Sequence, residues 1–283
     1  MRTIDFETIL AQGLQISGLD RDNVNEQDFN QIRDFANFRL RRAWEYDTWP
    51  DLNRVTAFPV VNTGDLHYVI IPNDGIVTNT QGTFKVNVGD ILQVTKEDPR
   101  LMGKHTVVGY SIDEYEQVVS GVVQDTVRRI ILDSANTNEV YVSYRNACPE
   151  LVGNLFNQGT TYKPGQVVYW AYANNAYFAP TTGSTYAGKK GNFWKCIVET
   201  TTKPNIDDNN TPGANDKWEK VKIPQFLGQY IIKGIHADWL KSEMQIELGQ
   251  AIEAEAQHLL DFEVQKIIVQ QGLSPRLNFN QIY

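Results

Sequence analysis

The sequence predicts an α+β fold: a helical bundle drawn from both chain ends, an antiparallel β-sandwich or barrel in the middle, and a small inserted β-module. Three observations predict it. Apolar residues recur at helical spacing near both ends, the period falls to two between about Val55 and Arg145, and residues 159–222 are rich in aromatics without helix signals. At 283 residues, with 41% hydrophobic and 21% charged, the chain has the length for one large domain with an insertion, or two domains, and the composition of a packed core.

The elements follow in order. Thr3 precedes Phe6, Ile9, Leu10 and Leu14 at helical spacing, and Gly18 marks an end. Asn25 and Asp28 resemble a capping pair for a second helix, whose stripe of Phe29, Ile32, Ala36, Leu40 and Ala43 runs to the stop at Trp49-Pro50. Arg33, Arg39, Arg41, Arg42 and Glu45 are assigned to its other face, where mixed charges are solvated or ion-paired, or alternatively meet phosphate. Residues 1–53 thus form the N-terminal helical segment.

Residues 54–148 form the β-rich domain. Turn residues recur at Thr63-Gly64-Asp65, Asn73-Asp74-Gly75, Val88-Gly89-Asp90 and Asn136-Thr137-Asn138. The clearest strands are Ile91 to Thr95, His105 to Tyr110, Tyr115 to Val119, Val127 to Leu132 and Val140 to Tyr144.

Residues 159–221 are expected to be an inserted module. Over 159–222, eight lysines face five carboxylates, a balance of +3, so the remainder carries −11 of the chain's net −8. Three of the six tryptophans, Trp170, Trp194 and Trp218, lie there, between loop-like edges at Asn157-Gln158-Gly159 and Ile223-Pro224. Residues 223–283 return to helix. Ile231, Ile232, Ile235 and Trp239 mark one helix, and Ile246, Ile252, Ala256, Leu259, Leu260 and Ile267 a second, ended by Gly272 and Pro275. A helix over 245–271 would be about 40 Å long at 1.5 Å per residue. Leu277, Phe279, Ile282 and Tyr283 then form an apolar tail expected to dock on a neighbouring surface.

The net charge of −8 argues against non-specific adhesion to nucleic acid or anionic membrane, which needs excess Lys and Arg. No apolar run reaches the ~18–20 residues of a membrane span. The start, Met1-Arg2-Thr3-Ile4-Asp5-Phe6-Glu7, holds carboxylates where a signal peptide is apolar, so a protein made and kept in a cytoplasm, or released by lysis, is expected. Cys148 and Cys196 show no spacing that requires a bridge and are expected to be isolated thiols.

No catalytic residue, metal ligand or cofactor site is expected. The chain has no Gly-rich phosphate loop, His-Glu-x-x-His helix, Gly-x-Ser-x-Gly elbow or Cys-x-x-Cys pair. His67, His105, His236 and His258 are scattered without metal-ligand spacing. The carboxylates of Asp113-Glu114-x-Glu116 and Asp207-Asp208 are read as solvated turn charges rather than a glycosidase pair, and Asp207-Asp208-Asn209-Asn210 lacks the Gly and distal Glu of a calcium loop.

Two stretches carry a specific resemblance. Phe38-Arg39-Leu40-Arg41-Arg42-Ala43-Trp44-Glu45-Tyr46-Asp47-Thr48-Trp49-Pro50-Asp51-Leu52 resembles the opening of the head-to-tail adaptor (connector) proteins of tailed bacteriophages. So does His236-Ala237-Asp238-Trp239-Leu240-Lys241-Ser242-Glu243-Met244-Gln245, with the Ala/Glu-rich helix and Gln270-Gln271-Gly272 that follow. The resemblance covers both ends and the strand region. It implies a structural subunit of a ring, usually twelvefold, in the virion neck after assembly in the host cytoplasm. Portal protein and tail or nozzle proteins are its implied neighbours, and DNA passes through the channel without specific binding. Arg39, Arg42, Trp239, Leu277, Phe279 and Tyr283 are the implied subunit or portal contacts.

A second resemblance covers about sixty residues. Tyr162-x-x-Gly165-x-x-Val168, Phe193-Trp194-Lys195-Cys196-Ile197, Pro204 and Trp218-Glu219-x-Val221 resemble, in that order, small chitin- and cellulose-binding modules, except for a long excursion between Val168 and Phe193. Aromatic rings of such modules stack on sugar faces. Tyr162, Trp194 and Trp218 are expected to form the module core. Tyr169, Trp170, Tyr172, Tyr177 and Tyr186 are either a platform for cell-surface glycan or plain decoration. The alternative function is a soluble carbohydrate-binding protein or an accessory domain of a polysaccharide-degrading system.

Overall fold

The computed structural model describes residues 2–19, 26–72, 75–101, 103–119, 122–133, 137–152, 156–157, 159–171, 191–201 and 217–270. Its elements begin with β1 (Thr3–Ile4), α1 (Phe6–Ile16), α2 (Glu26–Tyr46) and a 3-10 turn at Pro50–Leu52. Strands follow as β2 (Asn53–Pro59), β3 (Val61–Thr63), β4 (Leu66–Ile71), β5 (Ile76–Asn79), β6 (Gly82–Lys85) and β7 (Val88–Thr95). Next come β8 (Tyr110–Val119), β9 (Val122–Leu132), β10 (Glu139–Asn146), β11 (Val167–Ala171), β12 (Gly191–Cys196), β13 (Trp218–Lys220) and β14 (Ile223–Pro224). The order closes with α3 (Gln225–Ser242) and α4 (Ile246–Gln270). The fold is α+β, every strand pairing is antiparallel, and the described strands close no barrel.

The chain divides into two compact units. One takes the described residues of Pro50–Cys148 with Lys163–Gly165, the other those of Met1–Trp49, Pro149–Tyr162 and Gln166–Tyr283.

In the β-rich unit, strand alternation builds the core directly. Along β10, Val140, Val142 and Tyr144 are buried while Glu139, Tyr141 and Ser143 between them are not. They meet Phe58 of β2 and Val94 of β7 in the sheet β2-β10-β7, and Val69, Ile130 and Leu132 from the sheet β3-β4-β9-β8 in one apolar cluster. Such side chains are stiff and fit a pleated surface. The segment expected as a strand at His105 to Tyr110 is mostly irregular: Val107 makes an isolated bridge to Thr95, and only Tyr110 enters a strand. Gly109 accepts from the Asp133 backbone N–H at 2.9 Å, and the Asp133 carboxylate occupies the space a Cβ would take there. Asp113 and Glu114 lie inside β8 rather than in a turn, and Asp113 pairs with Arg129 at 2.6 Å.

In the other unit α3 is the central element. It carries the run of buried residues Leu227, Tyr230, Ile231, Ile232, Ile235, Ala237, Trp239 and Leu240, an almost all-round apolar helix that needs neighbours on several sides. α1 offers Phe6, Ile9, Leu10 and Leu14, and α2 offers Ile32, Ala36, Leu40 and Ala43. The two-stranded sheet β1-β14 ties the start of the chain to the head of α3, with Thr3 opposite Pro224 and Ile4 opposite Ile223. Asn37 of α2 binds the backbone of Leu151 in both directions, accepting at 2.7 Å and donating at 2.9 Å. No described helix is long and apolar enough to cross a membrane.

Candidate functional site

The second-helix stripe sets the first site. At 3.6 residues per turn, position 39 lies between Ile32 and Ala36 on one side and Ala43 on the other, so it shares their face. Arg39 is accordingly buried, with 1% of its surface exposed, which corrects its assignment to the solvated face. A buried guanidinium needs a carboxylate held in a matching fork. Asp238 of α3 supplies it, accepting from Nε at 2.7 Å and from the second terminal nitrogen at 2.5 Å. The remaining terminal nitrogen donates to Glu253 of α4 at 3.2 Å, and the Tyr230 ring lies 6.0 Å from Cζ.

Glu253 gathers two more cations. Arg42 donates to it at 3.0 Å and Lys241 also bonds to it, so one carboxylate of α4 meets charges from both α2 and α3. The Lys241 bond, working against desolvation and helped by the Arg39 charge, holds the Glu253 carboxyl down at about 2. Burial disfavours the charge on Arg39, but the bond and charge of Asp238 outweigh that cost and hold its pKa above the ordinary value. Backbone space matters as much: a Cβ at Gly234 of α3 would stand 2.6 Å from Arg39 Cδ, so only glycine leaves a passage for that side chain. Likewise, a Cβ at Gly249 would stand 2.7 Å from Lys241 Cγ where α4 crosses α3.

Two tryptophans of the same unit are buried. Trp49 is fully buried, donates from Nε1 to Ala43 O at 2.8 Å and packs on Phe226 at 5.0 Å between ring centroids. Trp239, expected at a subunit contact, is 8% exposed within its own chain. Arg42 keeps 45% of its side chain exposed beside its bond to Glu253. Leu277, Phe279 and Tyr283 lie outside the described residues.

The second site is the sheet β11-β12-β13, whose strands use their two faces differently. Tyr162, Val168, Trp194, Cys196 and Trp218 are buried in one cluster, with Phe156 and Trp170 packed against it. Cys196 stands opposite Trp218 in the register, and burial pushes its thiol pKa up. Tyr169 and Phe193, paired across β11 and β12, belong to the opposite face and meet the helices. Phe193 stands 5.0 Å from Phe6, and Tyr169 stands 5.3 Å from Phe29. Tyr169 is therefore a core ring, 3% exposed, and is not available to stack on a sugar. Trp170 is half-buried, edge-on to Phe156 at 5.3 Å. Tyr172, Tyr177 and Tyr186 lie outside the described residues.

Among the described residues no group of three or more His, Cys, Asp or Glu side chains is placed to hold a metal ion, and the two cysteines form no disulfide. The groove along the first half of α2, lined by Gln27, Asn30, Gln31, Asp34 and Phe35, holds one carboxylate, Asp34, which pairs with Arg33 at 2.9 Å. Sequence reasoning missed Asp238, Glu253, Gly234 and Gly249. The signal that could have found the first two is Arg39 itself, in phase with an apolar stripe and therefore in need of a buried acid. No protein-family model and no curated protein matches the chain.

Proposed function

We propose that the chain is a non-catalytic structural subunit of a tailed-bacteriophage neck, one of a ring that joins portal to tail, with the helices of both chain ends acting as one bundle. The observation that carries this reading is the Arg39 clamp. The two stretches that resemble head-to-tail adaptors lie almost two hundred residues apart, and their charged residues Arg39, Arg42, Asp238 and Lys241 meet in one cluster, closed by Glu253 of the long last helix. A resemblance made of surface texture alone would not need its two halves to be chemically complementary. Here Arg39 and Arg42 of the first half find their acids in the second half and in α4, while Arg41 pairs with Glu150.

In this reading the fixed helices present faces to copies of themselves and to portal and tail proteins. Net negative charge keeps passing DNA from adhering to the channel wall. The β11-β12-β13 sheet carries an outward role of weak glycan attachment, for which Trp170 is the described candidate ring. The test is the mass of the full-length protein in solution, at rising concentration and with portal protein added. A multi-subunit ring, or assembly onto portal, supports the reading. A protein that stays monomeric under both conditions and binds chitin or peptidoglycan overturns it in favour of a carbohydrate-binding protein.

A further inference from the structure

The start of the chain is held by strands from its far half. α1 spans 11 residues, short of the roughly 12–15 at which an isolated helix becomes stable in water, and the N–H groups of its first turn need acceptors from outside the helix. Asp5 stands at the N-cap and is a preferred capping residue, yet its side chain makes no cap bond. Its backbone carbonyl accepts from Thr8 at 3.0 Å and from Ile9 at 3.2 Å. The Glu7 N–H donates instead to Oδ1 of Asn192 in β12, at 3.3 Å. Asn192 is 2% exposed, and a side-chain amide so buried needs hydrogen-bond partners. A remote strand thus supplies the cap that the local sequence offers but does not use.

The Asp5 carboxylate pairs with Lys220 of β13 at 3.2 Å, and the same ammonium lies 5.7 Å from the centre of the Trp194 ring. Lys220 therefore joins the N-cap residue to the aromatic sheet, with an ion pair on one side and a cation–π contact on the other. In the register Asn192 stands opposite Trp170 and Lys220 opposite Trp194, so both contacts come from the sheet face that carries the tryptophans. Phe6, between Asp5 and Glu7, meets the other face, 5.0 Å from Phe193 and 6.3 Å from Tyr169 between ring centroids. Three consecutive residues are held by both faces of one sheet. Just upstream, Arg2 O accepts from the Gln225 N–H at 3.0 Å, and Ile4 lies so close to α3 that a Cβ at Gly228 would stand 3.1 Å from its Cδ1. We infer that β11-β12-β13 is a clasp for the start of the chain: it caps α1 and holds it on α3, so that loosening the sheet releases Arg2–Ile16 while the rest of the helical unit stays folded. The clasp works within one copy of the chain and needs neither a ring nor a glycan.

Hydrogen exchange of the full-length protein, read by mass spectrometry, tests it. Asn192→Ala removes the cap, and Lys220→Met removes the bridging charge while keeping an aliphatic stem over Trp194. Peptides within Phe6–Ile16 exchange about fivefold faster in Asn192→Ala, the effect of losing one N-cap, and about twofold faster in Lys220→Met. Peptides of α3 and β10 exchange as in the wild type. Coupling is reciprocal, so Phe6→Ala speeds exchange within Gly191–Cys196 in turn. Unchanged exchange of Phe6–Ile16 in both sheet variants overturns the inference. A uniform rise through α1, α3 and α4 overturns it too, because the unit then opens as a whole and nothing is released by itself. Exchange within Gly191–Cys196 that ignores Phe6→Ala means a sheet that folds independently of α1, and contradicts the clasp from the other side.

Discussion

Replacing Arg39 by Met keeps most of the aliphatic stem and removes the guanidinium from the α2–α3–α4 clamp. Glu253 retains Arg42 and Lys241, so the loss falls on Asp238, whose side chain is 15% exposed and which gives up both arms of its fork. Removing one partner of a buried pair costs about 3–5 kcal/mol, because the other charge stays behind without compensation. The partial water access of Asp238 puts the expected cost at the lower end, ~3 kcal/mol. At roughly 2–4 °C per kcal/mol for domains of this size, Tm falls by about 10 °C. Urea unfolding followed by tryptophan fluorescence measures the free-energy loss, since Trp44, Trp49 and Trp239 are all buried in the helical unit. The companion variant Arg39→Met/Asp238→Leu removes both charges, and most of the stability returns. A cost below about 1 kcal/mol for Arg39→Met, or a double variant no better than the single, refutes the clamp as an energetic unit.

Gly234→Ala forces a Cβ to 2.6 Å from Arg39 Cδ and costs about 2 kcal/mol of overpacking. In an Arg39→Ala background that cost largely disappears, and additive effects in the same urea experiment contradict the steric account. The Glu253 carboxyl is depressed from 4.5 to about 2, so its contribution is complete above pH 4.5 and is lost as pH falls from there through about 2. A shift of that size is on the order of 3 kcal/mol. Urea midpoints of Glu253→Gln therefore fall less steeply with acid across that window than those of the wild type, and parallel curves contradict the assignment. Trp170→Ala weakens pull-down of the full-length protein on chitin or peptidoglycan, while a wild-type protein that binds neither removes the glycan role.

The elements were legible wherever one period dominated. The α2 stripe, the strands within β7, β9 and β10 and the α4 repeat all follow from apolar spacing. The failures share a physical cause, which is that periodicity gives a face but not what covers it. Tyr169 and Trp170 are sequence neighbours of one strand, and alternation sends Tyr169 to Phe6 and Phe29 while Trp170 packs by Phe156. No local pattern announces that the opposite face of a small aromatic sheet is covered by helices from the far end of the chain. Arg39 was misplaced because its charge was read as a solvation signal, when its phase already placed it inside. The glycines of α3 and α4 are invisible as packing residues until the side chain that passes each of them is known. Asp113 looked like a turn charge because it stands among carboxylates, yet Arg129 across the hairpin neutralises it in a strand.

The neck assignment is tested most directly by gold-labelled antibody against this chain on intact phage particles imaged by electron microscopy. The account predicts label confined to the junction of capsid and tail, in one ring per particle. Particles without the chain, or label along the tail fibres or spread over the capsid, contradict it.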